Sequence, residues 1–292
     1  METAPAKIAK TYPARGPMQQ FRLAEISSFR CFRCGDTKRS KLITTYNGDW
    51  SSRLCNGCYG RLISLFDIKA GSRPDDERSE ALAHALLSAV NLEAQRRAER
   101  LYRAANERAE RLTPSTVRFI ATAEHVGAEL QSEPHLEWSP AVIGLCKAIE
   151  LEIVSRILTP LAKRCDGADL REDVRDKDFG RVAQFCRDQT RPPPELGAFA
   201  YFLQTVIHSK RRRETSAVIQ AFLQLARDWV GSSWVLDPAS FLSSLDTLTR
   251  NFRNRAAHID ELGKTDYLEC RELTIGKTGI MWQLLESTEP HR

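Results

Sequence analysis

From residue 83 onward, small and apolar residues return every three or four positions through most of the chain, the spacing of helices that bury one face. Ala83, Leu87, Val90, Ala94, Ala98, Leu101, Ala105, Ala109 and Leu112 form the first such seam, with Glu and Arg on the other faces. Gly71-Ser72-Arg73-Pro74 breaks the chain just before it, and Asp75 and Asp76 supply N-terminal caps and favourable charge. The pattern predicts one long helix over 75–112. At 1.5 Å per residue it would span on the order of 50 Å, as a linker, as a seam pairing two chains, or as an amphipathic helix packed within one chain. Thr113-Pro114 and Ser139-Pro140 carry the hydroxyl-then-proline order that suits a helix start, and predict helices over 117–130 and 142–161. Further helical patterns cover 179–187, 196–208, 217–230, 239–258 and 267–285, joined by Pro-, Gly- and Arg-rich connections. Strand signals are weak throughout. The expected fold class is mainly α, ending in an antiparallel bundle of about five helices from Pro140 onward.

Residues 1–20 contain Pro5, Pro13, Gly16 and Pro17 with little periodicity and read as a disordered leader. The expected organisation is that leader, a cysteine-bearing module over 21–70, a helical linker or dimerisation segment over 75–135, and a helical bundle over 139–288. No run of eighteen apolar residues exists, and the first twenty residues lack the apolar stretch of a secretory signal, so a cytoplasmic protein without a membrane partner is expected. In that reducing compartment the eight cysteines point to metal ligation or plain burial rather than disulfides. The net charge of +5 hides an asymmetry: up to Pro74 there are 13 Lys and Arg against 5 Asp and Glu, and after it 30 against 33. The positive field therefore sits on the cysteine-bearing end, where it suits a nucleic-acid contact or simply a solubilising terminus.

Cys31-Phe-Arg-Cys34 and Cys55-Asn-Gly-Cys58 are separated by twenty residues, and each pair can form a knuckle that presents two thiolates to one tetrahedral ion. Free or redox-active cysteines are the alternative, but two such pairs near a basic stretch, without a βαβ pattern around them, fit a four-thiolate zinc better. With no ligand position left open, that zinc is structural. Cys31-x-x-Cys34-Gly35, Trp50 and Leu54-Cys55-Asn56-Gly57-Cys58 resemble the GATA-type zinc finger, a treble-clef relative, over about forty residues. The loop between the pairs is longer than in that family, Gly57 stands where Ala is usual, and no matching basic tail follows Phe66, so base-specific reading does not carry over. What the resemblance leaves is a zinc-stabilised scaffold bearing Arg30, Arg33, Lys38, Arg39, Lys41 and Arg53, able to meet phosphates or to serve as a charged surface.

Arg253-Asn254-Arg255-Ala256-Ala257-His258 closes the pattern over 239–258, behind an apolar stripe of Phe241, Leu245, Leu248 and Phe252. The segment resembles the Arg-x4-His motif of HEPN domains, a helical superfamily that includes RNA-cleaving toxins and antiviral defence nucleases. Arg78 to His84 and Arg118 to His125 have acceptable spacing too, but only Arg253 is followed by a polar Asn and only His258 ends a late, strongly amphipathic helix. The stretch from Ala141 through Glu150 to Glu152, then Leu196-Gly197-Ala198-Phe199 and the run from Tyr267 to Arg271, fit the family pattern in order and spacing. The resemblance implies a metal-independent endoribonuclease. His258 would take the proton of a ribose 2′-hydroxyl, Arg253 would stabilise the pentacoordinate phosphate, and Asn254 would orient either. Products would be 2′,3′-cyclic phosphates, and DNA would be spared. On a straight helix Arg253 and His258 lie ~140° apart, which together with the family's habit implies a homodimeric site. Glu150 and Glu152 are candidates to pair with motif arginines or to form bundle salt bridges. Arg211, Arg212 and Arg213 are candidates for holding RNA phosphates or for a solvated loop. Cys146, Cys165, Cys186 and Cys270 lack ligand spacing and read as buried small apolar residues. The rival class is a non-catalytic nucleic-acid-binding adaptor or transcriptional regulator. An inhibitory or trigger partner fits either.

Overall fold

The computed structural model describes residues 7–72, 74–90, 92–130, 137–258 and 262–291. The chain is mostly helical, with one small antiparallel sheet near its start. It divides into two compact units, Met1–Arg73 and Pro74–Arg292, at the break expected between Gly71 and Pro74.

The first unit is a sheet, in contrast to the weak strand signals. Strands β1 (Ile8–Thr11), β2 (Met18–Arg30), β3 (Thr37–Tyr46) and β4 (Asp49–Leu54) pair antiparallel in chain order, and helix α1 (Asn56–Ala70) follows. The expected disordered leader is corrected over its described part, since β1 pairs with β2 at Lys10 opposite Arg22 and Thr11 opposite Phe21; residues 1–6 lie outside the described residues. All four residues of β1 are exposed, so backbone hydrogen bonding holds it and no apolar pattern announces it. The β3–β4 turn does carry a signal that the helical reading passed over. Asn47-Gly48 adopts positive φ at both residues, +50° and +73°, the conformation favoured by two-residue hairpins. Leu23, Phe29 and Ile43 form one small core and Met18, Cys31, Tyr46, Leu54, Cys58, Leu62 and Ile63 another, so two of the thiols belong to the hydrophobic interior.

The second unit begins with α2 (Asp75–Ala89), α3 (Leu92–Ala105), a 3₁₀ turn (Glu107–Arg111), α4 (Pro114–Leu130) and α5 (Ser139–Ile153). The single helix expected over 75–112 is therefore corrected to two α-helices and a 3₁₀ turn. Val90 caps α2 in an extended conformation, and the chain turns so that α2 packs on α5 while α3 packs on α4. Leu82, Ala83 and Leu86 are buried to within 1% of full burial, so the covered face of α2 runs through Leu82 and Leu86, whereas Leu87 of the expected seam is half-buried and Leu101, on α3, is 61% exposed. Tertiary burial outweighs the continuous local pattern here, because each turn of an amphipathic helix is stabilised mainly by the surface it covers. Helix α5 is the centre of the unit. Its residues from Ser139 to Cys146 are all buried, and it continues through a π-helical turn (Val154–Leu158) into Thr159–Arg164.

The helices Lys264–Ile275 and Ile280–Ser287 pack on α5, Ala217–Arg227 packs on its continuation Thr159–Arg164, and Leu196–His208 packs on the segment from Pro238 to Thr247. The segment expected as one α-helix over 239–258 alternates instead between π turns (Pro238–Leu242, Leu248–Asn254) and α turns (Ser243–Thr247, Arg255–Ala257). Its stripe of Phe241, Leu245, Leu248 and Phe252 is buried as the spacing predicts. Phe222 sits at the heart of an aromatic cluster, edge-on to Phe202 at 5.2 Å and to Trp229 at 5.8 Å. Among the described residues no helix is long and apolar enough to cross a membrane. Phe222→Ala is expected to lower the free energy of unfolding by about 3–5 kcal/mol, read from urea denaturation. A loss below about 1 kcal/mol would show that this cluster does not anchor the helical unit.

Candidate functional site

Two constellations carry chemistry, one in each unit. In the first, Cys31 directly follows β2, and the chain doubles back through Gly35 at φ +70°, with Gly35 N donating to Cys31 O at 2.9 Å and Cys31 N to Asp36 O at 2.8 Å. Cys55 follows β4 as the N-cap of α1, and Cys58 lies in its first turn. The four sulfurs lie within 4.8 Å of one another, with Cys34 and Cys55 at 4.0 Å. Four thiolates at ~2.3 Å from a tetrahedral ion stand ~3.8 Å apart, so the arrangement is close enough to bind one metal ion and is compatible with zinc. Burial alone would raise the Cys31 thiol, but backbone N–H groups of Cys34, Cys55 and Arg33 more than offset it and bring the thiol down to about 7.

Of the basic residues on this unit, Arg39 and Lys41 are exposed at alternate positions of β3 and so share one face. Arg33 is half-buried in the first knuckle. Lys38 pairs with Asp36 at 2.8 Å, Arg30 Nε donates to Gly35 O at 2.9 Å, and the half-buried Arg53 lies over the Phe29 ring.

The second constellation is assembled from distant parts of the second unit. Arg253, in the π turn Leu248–Asn254, is buried to 5% side-chain exposure. Its Nη2 donates to Asp76 Oδ1 in the first turn of α2, its Nη1 to Asn254 Oδ1 at 3.3 Å, and its Nε stands 4.0 Å from Glu150 Oε1 on α5. Asp76 also meets Arg181 at 3.2 Å, which in turn pairs with Glu195 at 2.6 Å, while Glu150 pairs with Lys147 at 3.3 Å. Of the two glutamates foreseen, Glu150 reaches Arg253, whereas Glu152 binds Arg156 at 2.7 Å and accepts from Thr113 N at 2.8 Å. Burial would raise the Asp76 carboxyl; hydrogen bonding and charge from Arg253, with help from Arg181, leave it below the ordinary aspartate range. Glu150 is raised by burial, which Lys147 and Arg253 only partly counter.

His258 lies beyond the last helical turn, in extended backbone at φ −88° and ψ 179°, and is exposed. Its Nδ1 is 3.4 Å from Nη1 of Arg78, another residue in the opening turns of α2. The ~140° separation read from a straight helix does not hold, because the π winding changes the angle per residue and His258 has left the helix. Arg253 and Asn254 line a cleft of about 650 Å³ between the helix Leu196–His208 and the segment from Pro238 to Asn254; His258 does not line it.

The tri-arginine segment forms the helix Lys210–Thr215. Arg212 binds Asp176 at 2.9 Å and Asp178 at 2.6 Å, and Arg213 donates to the carbonyls of Val206 and Ile207, which leaves Arg211 exposed. The four remaining cysteines are buried, with Cys270 near Cys146 and Cys186 near Cys165. Asp76 and Arg78 were not foreseen as site residues. Asp76 read as a helix cap, and its Arg253 partner is 177 residues away. No family model, no curated protein and no solved structure matches this chain.

The purified protein is expected to carry a single zinc ion per chain by atomic-emission analysis. Cys58→Ser should lower that content and speed amide exchange across 31–58 while α5 keeps its protection. Metal-free wild type with equal protection over 31–58 would show that the thiols need no ion. Asp76→Ala should lower the free energy of unfolding by about 1–3 kcal/mol at neutral pH by leaving Arg253 short of its partner. Because the Asp76 carboxyl is held below its unfolded value, its contribution is present above the ordinary aspartate range and fades as pH falls through the folded value. The gap between wild type and Asp76→Ala, followed by urea titration, should therefore close below about pH 4. A gap that stays constant would rule out charge as the basis of the pairing.

Proposed function

We propose that this chain is a metal-independent RNA endonuclease of the HEPN type, with a zinc-stabilised treble-clef-like module for binding nucleic acid. The observation that carries the reading is the exposed His258 imidazole facing the Arg78 guanidinium, at the end of the segment whose Arg253 is tied to the same helix, α2, through Asp76. A guanidinium only donates, so the Nδ1 that faces it is the lone-pair nitrogen. An RNA phosphate would draw Arg78 onto its oxygens, releasing Nδ1 to accept the 2′-hydroxyl proton as that oxygen attacks phosphorus and the 5′-oxygen leaves. Arg253 is enclosed by Asp76, Asn254 and Glu150, and in this reading it positions α2 and the segment that leads to His258. The leaving oxygen still needs an acid, which a second copy of the chain would supply.

The knuckle at Cys31, the β3–β4 hairpin and a helix starting at Cys55 support a treble-clef-like reading of the first unit, with zinc as its structural ion. Arg39 and Lys41 on one face of β3 suit sequence-independent phosphate contact. A non-catalytic nucleic-acid-binding adaptor is the second reading. Its support is that Arg253, Arg212 and Arg213 are all engaged inside the fold.

The test is incubation of the full chain with labelled single-stranded RNA and with DNA of the same sequence, in magnesium-free buffer with EDTA, the zinc content being checked afterwards. Wild type is expected to cleave RNA alone and leave cyclic-phosphate ends. His258→Ala should lose about a hundredfold or more in rate and Arg78→Ala a comparable amount. RNA binding without cleavage, unchanged in His258→Ala, would establish the adaptor instead.

A further inference from the structure

The sheet of the first unit carries aromatic and cationic groups that its thiol cluster does not use. The Asn47-Gly48 turn returns the chain so that Trp50, the second residue of β4, reaches Phe21 on β2, with ring centroids 4.9 Å apart and planes tilted by 32°. The two rings meet across β3, where Ile43 stands opposite Phe21 and is 1% exposed. Trp50 itself remains 38% exposed. An indole braced by a second ring holds one orientation, so a flat partner can stack on it with little further loss of freedom.

The charge beside these rings is positive and unmatched. Lys41 lies two positions along β3 from Ile43, about 7 Å at the rise of a strand, and Arg39 lies two positions further. Both are exposed, and neither has an ion pair among the described residues. Arg53, opposite Thr45, also has none. By contrast, Arg15 pairs with Asp67 at 2.7 Å and Lys38 with Asp36 at 2.8 Å. Asp49, the acid next to Trp50, is taken up by the hairpin, accepting from Ser51 N at 2.8 Å and Ser52 Oγ at 2.9 Å. The helix of the unit is poorly equipped to read a duplex groove: α1 exposes one cation, Arg61, while Lys69 is 4% exposed.

We infer that the sheet of the first unit binds single-stranded RNA, stacking a base on Trp50 and placing neighbouring phosphates at Lys41 and Arg39. Every base has a π face, so an exposed indole accepts any of them in an unpaired strand, whereas bases in a duplex are stacked on one another and closed to it. Two cations at alternate positions of one strand can meet successive phosphates. This builds on the first unit as a nucleic-acid-binding module, gives it an unpaired strand and one face, and involves neither His258 nor cleavage.

The test is fluorescence anisotropy with the full zinc-loaded His258→Ala chain, which spares the probe. Three labelled probes are compared: a short single-stranded RNA, the same strand annealed to its complement, and a sugar-phosphate strand of equal length without bases. The single strand is expected to bind at least about tenfold more tightly than the strand without bases, and Trp50→Ala should remove most of that advantage. Trp50→Phe, which keeps a stacking face, should restore it to within about threefold. Lys41→Ala and Arg39→Ala should each flatten the slope of log K against log salt by about 0.7, the loss of one phosphate contact. Trp50→Phe and the strand without bases keep the test decisive if Trp50→Ala loses its zinc. Equal affinity for the strand without bases, preference for the duplex, or binding indifferent to Trp50→Ala in a protein of wild-type zinc content overturns the inference. Base-dependent binding by a chain whose wild type cleaves no RNA would keep this face and sink the nuclease; cleavage by wild type with base-indifferent binding would do the reverse.

Discussion

A guanidinium removed from water has to bring carboxylates with it, because the desolvation of an unmatched charge exceeds what most single contacts return. Arg253 is that guanidinium in the helical unit. Its two carboxylate neighbours come from the first turn of α2 and the last turn of α5, so one buried charge joins three stretches of chain far apart in sequence. The same demand spreads outward: Asp76 recruits Arg181, Arg181 recruits Glu195, and Glu150 recruits Lys147. The helix starts at Asp75 and Leu196 are thereby held beside the segment that carries Arg253, and a cleft with a polar floor is left between them.

The π winding of that segment is the backbone counterpart of this network. A strict α-helix would keep Phe241, Leu245, Leu248 and Phe252 on one stripe and leave Arg253 on its flank. With the wider turn, the four apolar side chains stay buried and Thr249, Arg253, Ala256 and Ala257 are buried too. The helix thus serves a hydrophobic face and a polar one at once, and the hydrogen-bonding habit of Thr249 changes with it.

The first unit meets a different constraint. Its sheet and single helix enclose two small apolar clusters, one of which includes the side chains of Cys31 and Cys58. A unit of this size has little buried area from which to draw stability, and a shared ion joining the end of β2 to the start of α1 would tie together the parts that the core holds only weakly. The positive charge of the unit then faces outward from a scaffold that need not deform to present it.

Local chemistry was readable along the chain. The four-cysteine spacing, the break before Pro74, the hydroxyl-proline helix starts, and the apolar stripe from Phe241 to Phe252 all depend on residues near one another in sequence, and the structure has each of them. Asn47-Gly48 was equally local and shows that a hairpin was legible too. What needed the tertiary structure was every feature in which one segment answers another. An edge strand with no buried side chain is held by its neighbour's backbone; the long helical pattern splits because α2 packs on α5 and α3 on α4, burying Leu82 and Leu86 and leaving Leu101 exposed; and Asp76 is a partner of Arg253 only after α2 has folded back. The sequence by itself determined the apolar stripe from Phe241 to Phe252 and the four-cysteine cluster, since spacing alone places those side chains on one face or around one point. The ion-pair network, the π turns and the cleft were decided by packing, because a buried charge selects its partners by proximity in space and leaves no periodic trace along the chain.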